Sequence, residues 1–187
     1  MKSSPATQRL QKLLPRLFET KKQTGQRYLV FQITQDLNVA INLEKVWKVN
    51  HLPATAVTAI PQMPAWVLGW ANGSDRVFCI IDLAEFLGFS RSSQMLRQYP
   101  LVVVQVPSPQ SFQSRQPDKN ILLGFSVNRI QGTIPIHSEQ IVSPVGEFPE
   151  KIIPYLVGVI KHEQQQVAVL NPDQITQQMS KNVNSIK

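Results

Sequence analysis

Residues 67–82, VLGWANGSDRVFCIID, and residues 156–171, LVGVIKHEQQQVAVLN, align without a gap. Apolar pairs fall on apolar pairs, Gly69 falls on Gly158, and Asp82 falls on Asn171. Each copy reads as an apolar strand, a polar turn and a second apolar strand, which is the signature of a β-hairpin. The turn of the first copy contains Asn72-Gly73, a pair that takes up positive φ at little cost. Two related β units are therefore expected.

Outward from these hairpins the chain continues in strands. Residues 28–33 form a buried apolar run, residues 39–43 a short strand, and Val46, Trp47 and Val49 lie in a third segment rich in β-formers. Pro53, Pro61 and Pro64 exclude a long helix through residues 52–65. Residues 101–106 and 121–127 read as paired strands joined by a polar loop, residues 128–136 as a further strand, and Pro144, Pro149 and Pro154 as marks of an irregular connection. Only residues 83–89, with a stop at Gly88, and residues 174–181, after Asn171-Pro172-Asp173, read as helical. Short strands at regular spacing point to closed or nearly closed barrels rather than βαβ units.

At 187 residues and 42% hydrophobic content, the chain can fill one core, or two small ones that share a wall, without metals or disulfides. The single cysteine, Cys79, cannot staple it; a reducing, cytoplasmic compartment is expected, and Cys79 reads as a small buried hydrophobe. No run approaches the ~18 apolar residues of a membrane span, and no signal peptide is legible. Residues 1–27 carry seven basic side chains against Glu19, a net of +6 out of the chain's +7, so residues 28–187 are close to neutral. That placement argues against nucleic acid as the partner, because a binder sets its basic residues along the path of the phosphates. In the arm, Leu10, Leu13, Leu14, Leu17 and Phe18 fall at helical spacing, interrupted by Pro15. It reads either as a basic amphipathic segment for an acidic membrane or a partner, or as a solubilising arm that orders on contact.

Catalytic chemistry finds no set of residues here. Asp82 directly follows an apolar strand, where an aspartate accepts backbone donors, and its counterpart Asn171 can do the same. His51, His137 and His162 are isolated and show no metal-ligand spacing. Gly69 and Gly158 suit close backbone packing better than a phosphate cradle. With no phosphate loop, nucleophile elbow or paired carboxylates in the sequence, neither enzyme, cofactor nor metal is expected.

Taken together, Tyr28-Leu29-Val30-Phe31, Val46-Trp47-Lys48-Val49, the proline-bearing stretch ending in Gly69, Asn72, Ile80-Ile81-Asp82-Leu83 with Leu87-Gly88, residues 124–130 and Leu156-Val157-Gly158 resemble, in order and spacing, the CheW-like coupling proteins of bacterial chemotaxis arrays. The resemblance covers about residues 28–175. It implies a mainly β fold of two SH3-like five-stranded barrels sharing an apolar seam, with short helices. The domain itself is expected at 28–175, with one barrel near 34–95 and the other near 96–160 and strands exchanged at the ends. A basic arm at 1–27 and a tail at 176–187 flank it.

The same resemblance implies a non-catalytic adaptor between the cytoplasmic tip of a methyl-accepting chemoreceptor and the regulatory domain of a CheA-like histidine kinase. Receptor-binding residues carried over by position are Val46, Lys48, Val49, Ser74, Asp75 and Arg76; Gly69, Asn72, Asp82 and Gly158 carry structural roles. Two departures from the family pattern stand out. Lys48 occupies a position that is usually acidic, and Asn72-Gly73-Ser74-Asp75 replaces the usual Asn-x-Arg-Gly. Either both are drift on a solvated surface, or the chain serves a receptor of altered charge, which suits a pilus-driven twitching or phototaxis pathway. The alternative function is a small β-barrel nucleic-acid binder that uses the arm.

Overall fold

The two hairpins that decide the sequence reading close two different sheets of one body. The structure, a computed structural model, describes residues 25–73, 76–90, 97–108, 120–144 and 148–184. Its strands are β1 (Gln26–Thr34), β2 (Leu37–Asn42), β3 (Val46–Pro53), β4 (Val67–Gly73), β5 (Arg76–Asp82), β6 (Gln98–Pro107), β7 (Asn120–Ser126), β8 (Arg129–Ile136), β9 (Leu156–His162) and β10 (Gln165–Leu170). Among the described residues two α-helices, α1 (Leu83–Phe86) and α2 (Pro172–Asn184), each follow the second strand of a repeated hairpin. The readings of the N-terminal arm before Gly25, of the turn at 74–75 and of the polar loop over 109–119 lie outside the described residues.

The strands form two five-stranded sheets of the same plan, β8-β1-β2-β10-β9 and β3-β6-β7-β5-β4. In each, three pairs are antiparallel and one is parallel: β2 with β10 in the first, β5 with β7 in the second. Each sheet curls until the segment after its first edge strand reaches its last strand. Thr58 exchanges both backbone hydrogen bonds with Trp70 at 2.8 Å, and Val142 does so with Val159 at 2.9 and 2.8 Å. We call these the central barrel (β3–β7) and the terminal barrel (β1, β2 and β8–β10).

This division corrects the expected boundary near residue 95. β6 and β7, expected in the second barrel, pair with β3 and β5 in the central one, and β1 pairs with β8 from Gln26↔Ile136 to Gln32↔Arg129. Alternation of apolar residues tells a strand which face to bury, not which strand to pair with, so the partnership was open until the sheets closed. The expected tail at 176–187 is corrected likewise: α2 runs to Asn184, Thr176 is buried and Met179 packs against the core.

Three apolar clusters follow from the two-residue period of the strands. Phe78, Ile80, Leu101 and Val103 fill the central barrel, while Val30, Ala40, Val167 and Val169 fill the terminal one. The alternate residues, among them Phe31, Val39, Ile81, Val102, Val104 and Phe125, form with Ile175 of α2 the largest cluster, the seam between the barrels. Each strand in the seam thus buries both faces, which is why its sequence reads as a continuous apolar run.

Candidate functional site

At one end of the central barrel, the start of β3 meets the end of the β4–β5 hairpin. A register shift between Val46 and Lys48 bulges β3 at Trp47. The bulge turns the strand, so Val46 packs against the seam and Trp47 against the barrel interior, while Lys48 and Val49 both lie exposed. Trp47 reaches across to the hairpin: a Cβ on Gly73 would stand 3.6 Å from its ring and 2.7 Å from the ring of Phe78. The contact brings Lys48 and Arg76, which pairs with Gly73, to the same end. The Lys48 ammonium stands 5.9 Å from the Trp47 ring centroid, within reach of a weak cation–π attraction.

Of the residues carried over as receptor-binding, the structure leaves Lys48, Val49 and Arg76 in solvent and turns Val46 toward the seam. Ser74 and Asp75 lie outside the described residues. Asn72 is exposed and pairs with Val77 across the hairpin.

Gly69 and Gly158 stand where each barrel closes. A Cβ on Gly69 would overlap the backbone carbonyl of Thr58, and its φ of +143° is one that side-chain-bearing residues rarely adopt. On Gly158 a Cβ would fall 2.5 Å from Ile141 Cγ2 and 2.6 Å from the Val142 carbonyl oxygen. The β-bulge repeats as well, between Val67 and Gly69 in one hairpin and between Leu156 and Gly158 in the other. Asp82 Oδ1 accepts from the Glu85 amide at 3.0 Å and caps α1; Asn171 Oδ1 accepts from the Asp173 amide at 3.0 Å at the start of α2.

Reactive chemistry does not assemble around these residues. No group of three His, Cys, Asp or Glu residues able to hold a metal ion occurs among the described residues. Burial pushes the Cys79 thiol up to about 11, so it stays protonated and poorly nucleophilic at neutral pH. Tyr28 and Tyr155 are raised by burial too. Among the described residues no helix is long and apolar enough to cross a membrane.

The exposure of Trp70, Val77 and Ile121 was not foreseen. They share the outward face of the central barrel, beside α2, and line a hollow of about 410 Å³. In Val77-Phe78-Cys79-Ile80-Ile81 both faces of the strand are apolar, so period two could not separate the covered face from the open one.

Two comparisons with known proteins agree with this geometry. The scaffolding protein TtCheW from Thermoanaerobacter tengcongensis has a similar structure, with a TM-score of 0.65 at 16% identity over 81% of this chain and 92% of that one, a likeness of fold. No curated protein matches the chain. The profile of the CheW-like domain matches residues 27–179, from the second residue of β1 to the Met179 that packs on the seam. That span takes in both barrels and all ten strands save Gln26, and by it the chain belongs to the CheW-like domain family.

Proposed function

We propose that the chain is a cytoplasmic, non-catalytic adaptor that joins the regulatory domain of a CheA-like histidine kinase to the cytoplasmic tip of a methyl-accepting chemoreceptor, in a chemotaxis-type signalling array. The observation that carries this reading is the match of the CheW-like profile across both barrels. The exposed end of the central barrel supports it, since surface strands and a hairpin offer a binding face with no reactive group at its centre.

In this reading Lys48, Val49, Ser74, Asp75 and Arg76 bind the receptor, with Val49 as an apolar anchor, and Val46, packed against the seam, holds the strand that presents them. Lys48 stands where acid is usual, and the hairpin lacks its usual arginine. Like charges across an interface reject wrong partners, so the cognate receptor carries a correspondingly altered charge pattern. The test is binding of the full chain to a CheA-like kinase and to the tip fragment of its own receptor, measured by calorimetry. A kinase complex without turnover is expected, and no binding to any such kinase overturns the adaptor. Lys48→Glu combined with Ser74→Arg and Asp75→Gly should weaken receptor binding about tenfold, or about 1.4 kcal/mol; unchanged affinity removes the charge argument while leaving the adaptor intact.

A further inference from the structure

The two barrels match residue by residue, yet the mouth of one is filled and the mouth of the other is open. The hairpin repeat sets Gly73 on His162 and Phe78 on Val167, and the pairings Cys79↔Leu123 and Ala168↔Val39 then set Leu122 on Asn38. Carried through β6 and β1, the register sets Val103 on Val30, Lys48 on Gly132, and the bulged Trp47 on the bulged Gln131. In the central barrel the Trp47 indole closes the mouth, packed against the barrel interior beside Phe78 and Gly73. In the terminal barrel the bulge residue bonds to its neighbours instead. Gln131 Nε2 donates to Asn38 Oδ1 at 2.9 Å, and Asn38 Nδ2 donates to Gln165 Oε1 at 2.8 Å.

This leaves a hollow of about 440 Å³. Val30 and Val167 of the barrel interior, 5% and 2% exposed, line its floor, and the three amides and His162 line its sides. A Cβ on Gly132 would meet no atom within 4 Å, so the space beside β8 is unfilled.

We propose that the mouth of the terminal barrel binds an indole ring, free or as the side chain of a tryptophan on another polypeptide, in the place that corresponds to Trp47. The apolar floor and the equivalence of the two mouths set the shape of the ring. Its polar edge follows from the exchange of Leu122 for Asn38: a phenyl ring would cover the amides without bonding to them, whereas an indole N–H can donate to the second lone pair of Gln165 Oε1. The ring comes from outside the chain, because all three of its tryptophans, Trp47, Trp66 and Trp70, are placed elsewhere in the fold. The site lies on the other barrel from Lys48, Val49 and Arg76 and does not depend on the adaptor reading.

Amide-resolved NMR titration of the full chain with indole and with N-acetyltryptophanamide tests this. Saturable shifts are expected at Gly132 and Val167 and at the side-chain amides of Asn38, Gln131 and Gln165, with N-acetylphenylalaninamide about fivefold weaker for want of the N–H. Tighter binding of N-acetyltryptophanamide than of indole marks a polypeptide side chain as the source of the ring, and the reverse order marks the free ring. Gln131→Trp, which gives the terminal barrel the plug of the central one, is expected to weaken binding about tenfold. Asn38→Leu is expected to bring the indole and phenyl probes to equal affinity. Absence of saturable shifts at these residues, shifts confined to the hollow beside Trp70, or unchanged binding in the Gln131→Trp chain overturns the proposal. So does indole binding that appears only after Phe18→Ser or Phe112→Ser, which would give the mouth to an aromatic side chain of the chain itself.

Discussion

The terminal barrel is drawn from both ends of the described chain, joining β1 and β2 to β8–β10, whereas the central barrel comes from one continuous stretch, β3–β7. Their plans are otherwise the same, down to the bulge just before a glycine, the bridge that closes the sheet and the cap after the hairpin. What differs is the outward face: Trp70, Val77 and Ile121 are exposed in the central barrel, whereas Val159 and Leu37, at equivalent positions, are buried in the terminal one. A repeated unit therefore conserves what closes a barrel and varies what the barrel shows to solvent. The closing contacts are steric and allow little substitution; an outward face is constrained only by what covers it.

The largest test asks whether the barrels are separate at all. Phe31 in the terminal barrel and Phe125 in the central one are both fully buried in the seam. Truncation of either to alanine should cost about 3–5 kcal/mol, since a large core side chain leaves a cavity that its neighbours only partly refill. Because the seam is shared, tryptophan fluorescence, which reports the central barrel, and amide exchange in β1 and β2, which reports the terminal one, should lose protection at the same urea concentration. Two separated transitions would show independent folding units.

Next in size are the closing glycines. Gly69→Ala and Gly158→Ala should each destabilise by about 2–3 kcal/mol in urea titrations, with Gly69 the more costly. At both the obstacle includes a backbone carbonyl, but only Gly69 also holds a positive φ that alanine would have to adopt. Equal costs, or the reverse order, would mean that the two closures are not equivalent in the way the geometry describes.

A smaller effect separates Cys79 from its buried counterpart Ala168. The folded thiol is raised from 9.0 to about 11, so between those values the unfolded chain ionises while the folded chain does not. Stability from this group is fully present below pH 9 and is lost as pH rises toward 11, by about 1–2 kcal/mol. Cys79→Ala should remove that part of the alkaline slope, read as the difference between the two chains' stability curves from pH 8 to 11. An unchanged slope would show the thiol to be solvated.

The smallest effect lies in the β9–β10 turn, where Glu163 and Gln164 hold φ of 48° and 66°. That is the conformation of a two-residue hairpin turn that favours Asn-Gly. Gln164→Gly should stabilise by about 0.5–1 kcal/mol, raising the melting temperature by a few degrees. A loss of stability would point to side-chain contacts of Gln164 that outweigh the strain.

Much of this molecule was legible before its structure. The paired hairpins, the capping positions Asp82 and Asn171 and the two helices follow from local pattern, because a turn, a cap or a period of two is decided by residues close in sequence. The site was half legible: Lys48 and Arg76 stand out as charges on a strand and a hairpin, yet that Trp47 packs beside the hairpin, at Gly73 26 positions away, is decided only when the barrel closes. Which strands share a barrel, and which apolar face stays open, belonged to the tertiary structure alone. β1 could bury its alternate residues against many partners, and its pairing with β8 is settled only when both sheets curl and the seam excludes water from Phe31 and Phe125 together. Hydrophobic pattern specifies that a face must be covered, but burial is non-directional, so the choice of cover falls to the packing of the whole chain.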